Sequence, residues 1–375
     1  MRLRVRVACA GLLLATFATT SAVAGELDAV LARAMDGSRT PAVGVAVIRD
    51  GKVADVAVRG VRRNDAAEAV TPGDVWLIGS TSKPMTTALI AKLVERGTLS
   101  WDAPLSSMLP ELAASMREDY RAVTLVQLLS HGAGLPENLR DLSHVDRYFT
   151  DTRPLPEQRL AYITEALQDA PVAREDAAFS YSNTGFLIAA VIAERATGKP
   201  FETLMREEVF VPLGMDSAGF GPTSDGQIRG HRDGKPVTVL ARSDDGVPML
   251  FTAAGNMHMS LRDWARFCID QLAGGRGNGT LLKPESYRLM QTARPGRPAG
   301  LDWGVQPTIA GRRGPVLAHG GSDGNWLAWV ALFPRENSGV LVVANAADDM
   351  DGDKVTHAAL AELLPTLSPA DKKPD

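Results

Sequence analysis

In the stretch IGSTSKPMTTALIAKLVERGTL, residues 78–99, a serine and a lysine stand three apart at the head of an apolar run with helical spacing. If a helix begins at or near Ser80, the two side chains share one face, with their Cβ atoms about 5–6 Å apart, within hydrogen-bonding reach. The N-terminus of a helix adds free N–H groups and the positive end of its dipole, which favour an alkoxide over an alcohol. Lys83, if its surroundings lower its proton affinity, can then take the hydroxyl proton of Ser80. Pro84 works against this, because the residue before a proline disfavours helical angles, although proline itself is tolerated in a first turn. The plain alternative is a capping serine beside a surface lysine, and a four-residue pattern alone does not exclude it.

Two further stretches carry polar groups of the right chemistry. In YSNTGFLIAAVIAERATGKPF, Tyr181 and Asn183 stand where the chain enters a strongly apolar helix. A phenol near an ammonium has its pKa lowered and can shuttle protons, while the Asn183 amide can orient both a substrate amide and the lysine. Their plain alternative is a core tyrosine and a capping asparagine. In LAHGGSDGNWLAWVALF, a strand ends in His319, Gly320, Gly321 and Ser322. Glycines at a strand edge let a ligand approach and pair with the backbone, and the Ser322 N–H can join that of Ser80 around an oxyanion. Here the alternative is a simple glycine turn. Residues 320–324 also match the Gly-x-Ser-x-Gly nucleophile elbow, but an elbow leads into a helix, whereas an alternating aromatic run follows.

These groups need elements to hold them. PAVGVAVIRD and KVADVAVRG read as two strands joined at Asp50-Gly51, a strong hairpin signal. PVLAHGG, NWLAWVALFP and SGVLVVANA read as further strands near the end of the chain, followed by a helix in DKVTHAALAELL. Between them, residues 85–96, 124–130, 156–168, 185–197, 201–209 and 260–273 have helical spacing. This predicts an α/β (α+β) chain: an antiparallel sheet built from both termini and flanked by helices, with a mostly helical domain inserted. The sheet domain is expected over 25–105 plus 300–365 and the insert over 106–299, with a cleft between them. Residues 214–251 read as a long irregular loop, and 366–375 as a disordered tail.

The chain opens with Arg2, Arg4 and Arg6 before an apolar run and Ala22-Val23-Ala24, the pattern of a secretory signal peptide over residues 1–24. An exported, most plausibly periplasmic, chain with no transmembrane segment once the leader is removed is therefore expected. Cys9 belongs to the leader, so Cys268 is left alone and no internal disulfide is possible. Without the leader, 37 Lys and Arg face 44 Asp and Glu, a net charge of −7, with no basic run to suit nucleic acid. The remaining histidines lack ligand spacing, so neither a metal nor a cofactor is expected. His131 is expected to fix its loop, and Trp326 is a candidate cleft residue.

Ser-x-x-Lys, then Tyr-Ser-Asn, then a His-Gly-Gly strand, in that order, resembles the serine β-lactamase and penicillin-binding-protein superfamily, in its class C-related branch. LLSHGAGLP at 128–136, VFVPLGM at 209–215 and AAGNMHMSLRDWARF at 253–267 are similar to that family as well, so the likeness runs over nearly all of the chain past the leader. It implies Ser80 as acylated nucleophile, Lys83 and Tyr181 as the proton-transfer pair, and Asn183 as positioner of substrate and lysine. Residues 319–322 become the substrate edge. One position departs from the pattern: His319 stands where many lactamases have lysine. An unperturbed histidine titrates near 6.5 and is mostly neutral at neutral pH, so recognition of an anionic β-lactam should weaken. The expected activity is hydrolysis of short esters or D-amino-acid peptides, ahead of β-lactams. The alternatives are a β-lactamase, or a penicillin-binding sensor that acylates without turnover.

Overall fold

The computed structural model describes residues 15–172, 179–224, 226–238, 246–297 and 299–367. Its centre is a six-stranded antiparallel sheet. We number its strands β1 (Ala42–Arg49), β2 (Lys52–Gly60), β3 (Gly304–Ile309), β4 (Arg312–Ser322), β5 (Leu327–Phe333) and β6 (Ser338–Ala344). Their order across the sheet is β2-β1-β6-β5-β4-β3, so the N-terminal hairpin joins the C-terminal strands through β1 and β6, with Val45 opposite Val342. The hairpin turns at Asp50 and Gly51, both at positive φ, as a tight turn matched to strand twist requires.

Both faces of this sheet are covered, which is why β1 is buried almost throughout instead of alternating with solvent. Val43, Val45 and Val47 face the helices Ala15–Met35 and Gly352–Leu363. Leu27, Val30, Leu31 and Ala34, three and four apart, supply the apolar stripe of the first helix. On the other face Ala42, Gly44 and Ala46 are small, and the Leu261–Gly275 helix packs there; a Cβ added at Gly44 would lie 2.8 Å from Leu261 Cδ1. This helix falls within the span expected for the insert, yet it packs on the sheet.

The remaining helices build the opposite wall of the cleft. Lys83–Glu95, Leu155–Ala166 and Asn183–Thr197 share one core with Leu125–Leu129 and Phe201–Met205. Buried Arg159 ties them together, reaching Glu194, Glu202 and Thr252. A short three-stranded sheet of Val75–Leu77, Met257–Ser260 and Gly219–Phe220 leads into the Ser80 turn.

Three sequence expectations meet a different outcome or lie beyond view. Leu364–Leu367 forms a 3-10 turn with Leu367 buried against the sheet layer, so the chain stays packed two residues into the expected tail. The long loop is only partly described: 225 and 239–245 lie outside the described residues, as do 1–14 of the leader and 368–375 of the tail. Among the described residues no helix is long and apolar enough to cross a membrane.

Candidate active site

Ser80 sits in a 3-10 turn, Gly79–Ser82, that runs directly into the Lys83–Glu95 helix. Three residues per turn place positions i and i+3 one above the other, and Lys83 Nζ donates to Ser80 Oγ at 2.9 Å. Pro84 does not displace Lys83, which keeps helical angles at φ −56° and ψ −39°. The side chain of Lys83 is fully buried, and its second partner is the carbonyl of Ala254. Burial pushes its pKa down to about 8, while the charges of Asp302 and Glu137 pull the other way.

Tyr181 reaches the same point from the other side of the cleft. Ser182, not Asn183, caps the helix behind it: the Ser182 hydroxyl accepts from Gly185 N at 3.2 Å and donates to the Pro136 carbonyl at 2.6 Å. The Tyr181 hydroxyl lies near enough to Ser80 to be influenced by it, and Lys83 Nζ lies 4.9 Å from the centre of its ring. The ammonium therefore also lies against the ring. Contrary to the expectation from sequence, the phenol is pushed well above its ordinary range, first by burial and then by the charge of Asp302. It stays protonated at neutral pH.

The third wall is β4. From Arg312 to Ala318 it pairs with β3, while residues 319–322 pair only with β5, leaving their other edge toward the Ser80 turn. Gly79, at φ 53°, and Gly321 allow the two backbones to meet. A Cβ on Gly79 would lie 2.6 Å from Ser322 N, and one on Gly321 would lie 2.7 Å from Ser80 N. The backbones at Ser80 and Ser322 thus lie close together, the proximity that two N–H donors to one oxyanion need. Ser322 is followed by a turn and then β5, with no helix, so the elbow geometry is not formed.

Asn183 lacks the expected contact with the lysine, and Trp326 is packed differently from the expectation. The Asn183 side chain donates to Asn138 Oδ1 at 3.1 Å, and the recorded partners of Lys83 are Ser80 and Ala254. Trp326 is 5% exposed and packs edge-on against Trp76, with ring centres 6.2 Å apart, so it is a core residue and not a cleft wall.

One participant escaped sequence reasoning altogether. Asp302 is buried between two histidines: Oδ1 lies 3.0 Å from His131 Nε2, and Oδ2 lies 3.2 Å from His319 Nε2 without hydrogen-bond alignment. Against the cost of burial, the charge of His319 and the hydrogen bond from His131 hold its carboxyl far below the usual range. His131 Nδ1 accepts from Ser182 N at 3.1 Å and its ring lies 4.5 Å from that of Tyr181, so His131 fixes its loop and the tyrosine together. No group of three His, Cys, Asp or Glu among the described residues could hold a metal ion. A pocket of about 330 Å³ opens beside Tyr181 and His319, with Phe179 and Gln306 on its rim.

The family model Beta-lactamase matches residues 27–364. The chain belongs to the Beta-lactamase family of serine hydrolases. Among curated members it is 28% identical to the D-alanyl-D-alanine-carboxypeptidase/endopeptidase AmpH of Escherichia coli K12, over 71% of this chain and 69% of that protein. It is also 28% identical to esterase EstB of Burkholderia gladioli, over 61% of this chain and 60% of that protein. Among solved structures it is similar in fold to a class C β-lactamase from Rhodobacter sphaeroides, with a TM-score of 0.69 at 21% identity, covering 90% of this chain and 99% of that one. The octameric penicillin-binding protein homologue of Pyrococcus abyssi gives a TM-score of 0.73 at 23% identity, covering 91% and 77%.

Proposed function

We propose that the protein is an exported hydrolase that forms an acyl-enzyme on Ser80 and cleaves an ester or amide, with short esters or D-amino-acid peptides as substrates. The observation that carries this reading is the 2.9 Å contact between Ser80 Oγ and a lysine that is wholly buried. The names of two relatives, a carboxypeptidase/endopeptidase and an esterase, support the substrate class. The arginine-led apolar leader supports export.

With a pKa of about 8, roughly a tenth of Lys83 is the free amine at pH 7. That amine accepts the Ser80 proton as Oγ bonds to the substrate carbonyl carbon, and the carbonyl oxygen takes up negative charge between the N–H groups of Ser80 and Ser322. Collapse of this intermediate expels the alcohol or amine. Tyr181, a protonated phenol beside Ser80, hands its proton to that leaving group and is reprotonated from Lys83. Water then attacks the acyl carbon, giving its proton back through the same pair, and the acid leaves. The direction of the two pKa shifts favours Lys83 as the base and Tyr181 as the donor.

Incubation with a fluorophosphonate, followed by peptide mass mapping, tests the assignment. A label on Ser80 that is lost in Ser80→Ala is the expected result, and a label on Ser322 or elsewhere sinks it. A penicillin adduct that persists for hours with no turnover of any ester would favour a sensor over an enzyme.

A further inference from the structure

The chemistry proposed for Ser80 leaves one buried carboxylate of the cleft without a part. Asp302 holds φ 71°, in the left-handed region that favours glycine, and its side chain has no solvent exposure. It lines the 330 Å³ pocket beside Tyr181 together with both histidines, and no lysine or arginine is among the described residues of that lining. A fully buried anion is costly unless it is paired, and its position beside the reacting groups points to function.

The charges around it can be added up. His131 accepts from the Ser182 N–H through Nδ1 and donates to Asp302 through Nε2, so it carries one hydrogen and no charge. His319 donates through Nδ1 to the Gly320 carbonyl and turns Nε2 toward Asp302. With a hydrogen on both nitrogens of His319 the trio sums to zero, and with one it sums to −1. Among the described residues, Glu137, a second anion, and Lys83, whose head is committed to Ser80 and Ala254, also act on this corner, while the Arg297 guanidinium lies outside the pocket lining, against Gly132 and Ser130. With His131 neutral, no arrangement of protons among the described residues of the lining itself gives a net positive charge.

We propose that Asp302 sets the charge selectivity of the cleft: its carboxylate cancels what His319 would offer an anion, so the pocket beside Tyr181 takes an uncharged substrate group and disfavours a carboxylate. The assignment rests on acylation at Ser80. It narrows the substrate class to neutral esters and amides, such as blocked or internal peptide positions, over those ending in a free carboxylate next to the scissile bond.

The test uses a matched pair of depsipeptide esters whose leaving group ends in a carboxamide or a carboxylate. Both are measured at low salt with wild type, Asp302→Asn and Asp302→Gly, the last of which suits the backbone at φ 71°. Wild type is expected to favour the carboxamide in kcat/KM by about tenfold, and each variant to move that ratio toward the carboxylate by about tenfold, whatever its absolute rate. A wild type that favours the carboxylate ester overturns the proposal even if neither variant folds. So does a ratio unchanged in both variants. Fluorophosphonate mapping on the same samples separates the two ideas: a labelled Ser80 with an unmoved ratio removes only the role of Asp302, whereas an unlabelled Ser80 removes the acyl-enzyme reading beneath it.

Discussion

Lys83 Nζ lies 2.9 Å from Ser80 Oγ and 4.9 Å from the centre of the Tyr181 ring, so one buried amine touches both the nucleophile and the phenol face. Its pKa of about 8 makes the pH profile the most direct reading of its role. Below that value Lys83 is an ammonium and cannot accept a proton. The acylation rate should therefore rise about tenfold per pH unit up to about 8 and level off above it, measured as kcat/KM for a neutral ester from pH 5 to 9.5. Lys83→Met should lose this limb and about 10³-fold or more in rate. A flat profile in the wild type would remove Lys83 as the base.

Tyr181→Phe keeps the ring that lies under Lys83 and deletes only the hydroxyl. Because Tyr181 acts as a protonated donor, kcat for an amide, with its poor leaving group, should fall by about 10²-fold or more, and kcat for a p-nitrophenyl ester much less. Equal losses on both would argue against donation to the leaving group.

The close approach of the Ser80 turn and β4 depends on two hydrogen atoms in place of side chains. In Gly321→Ala a Cβ would come within 2.7 Å of Ser80 N, pushing the two N–H donors apart. The expected result is a loss of about 10²–10³-fold in kcat, as for other oxyanion donors, together with a lowered melting temperature, because the added Cβ meets backbone and not a flexible side chain. A variant with unimpaired kcat would show that these N–H groups do not act together.

Arg159 concerns stability. It is fully buried and bridges Glu194 and Glu202, so Arg159→Met strands two carboxylates and should cost about 3–5 kcal/mol in urea unfolding. Stranded carboxyls are raised above their unfolded values. Their protonated forms are tolerated at low pH and the penalty grows as pH rises, so the deficit should be smaller near pH 5 than near pH 8. A deficit that ignores pH would point to lost packing alone.

Local chemistry was legible in the sequence, and long-range partnership was not. Ser80 and Lys83 declare themselves by spacing, and Asp50-Gly51 by turn chemistry, because both depend on neighbours along the chain. Strand β3 was missed because GVQPTI carries a proline; it is tolerated at an irregular edge, where the register with β4 shifts between Gln306 and Thr308. Asp302 was missed because nothing near it in the chain marks it: its partners come from residue 131 and residue 319. The direction of the Tyr181 shift was misjudged because sequence gives proximity to lysine but not the burial and the Asp302 charge that raise the phenol's pKa.

The pairing of β1 with β6 has a consequence for biosynthesis. A polypeptide leaves the ribosome N-terminus first, so the Ser80 turn is made long before β4 exists to lie against it, and β4 is seated only through β5 and β6. Contacts this distant in sequence form late and slowly. The nascent molecule therefore carries a nucleophile without an anion cradle until residues 312–344 have been made and paired.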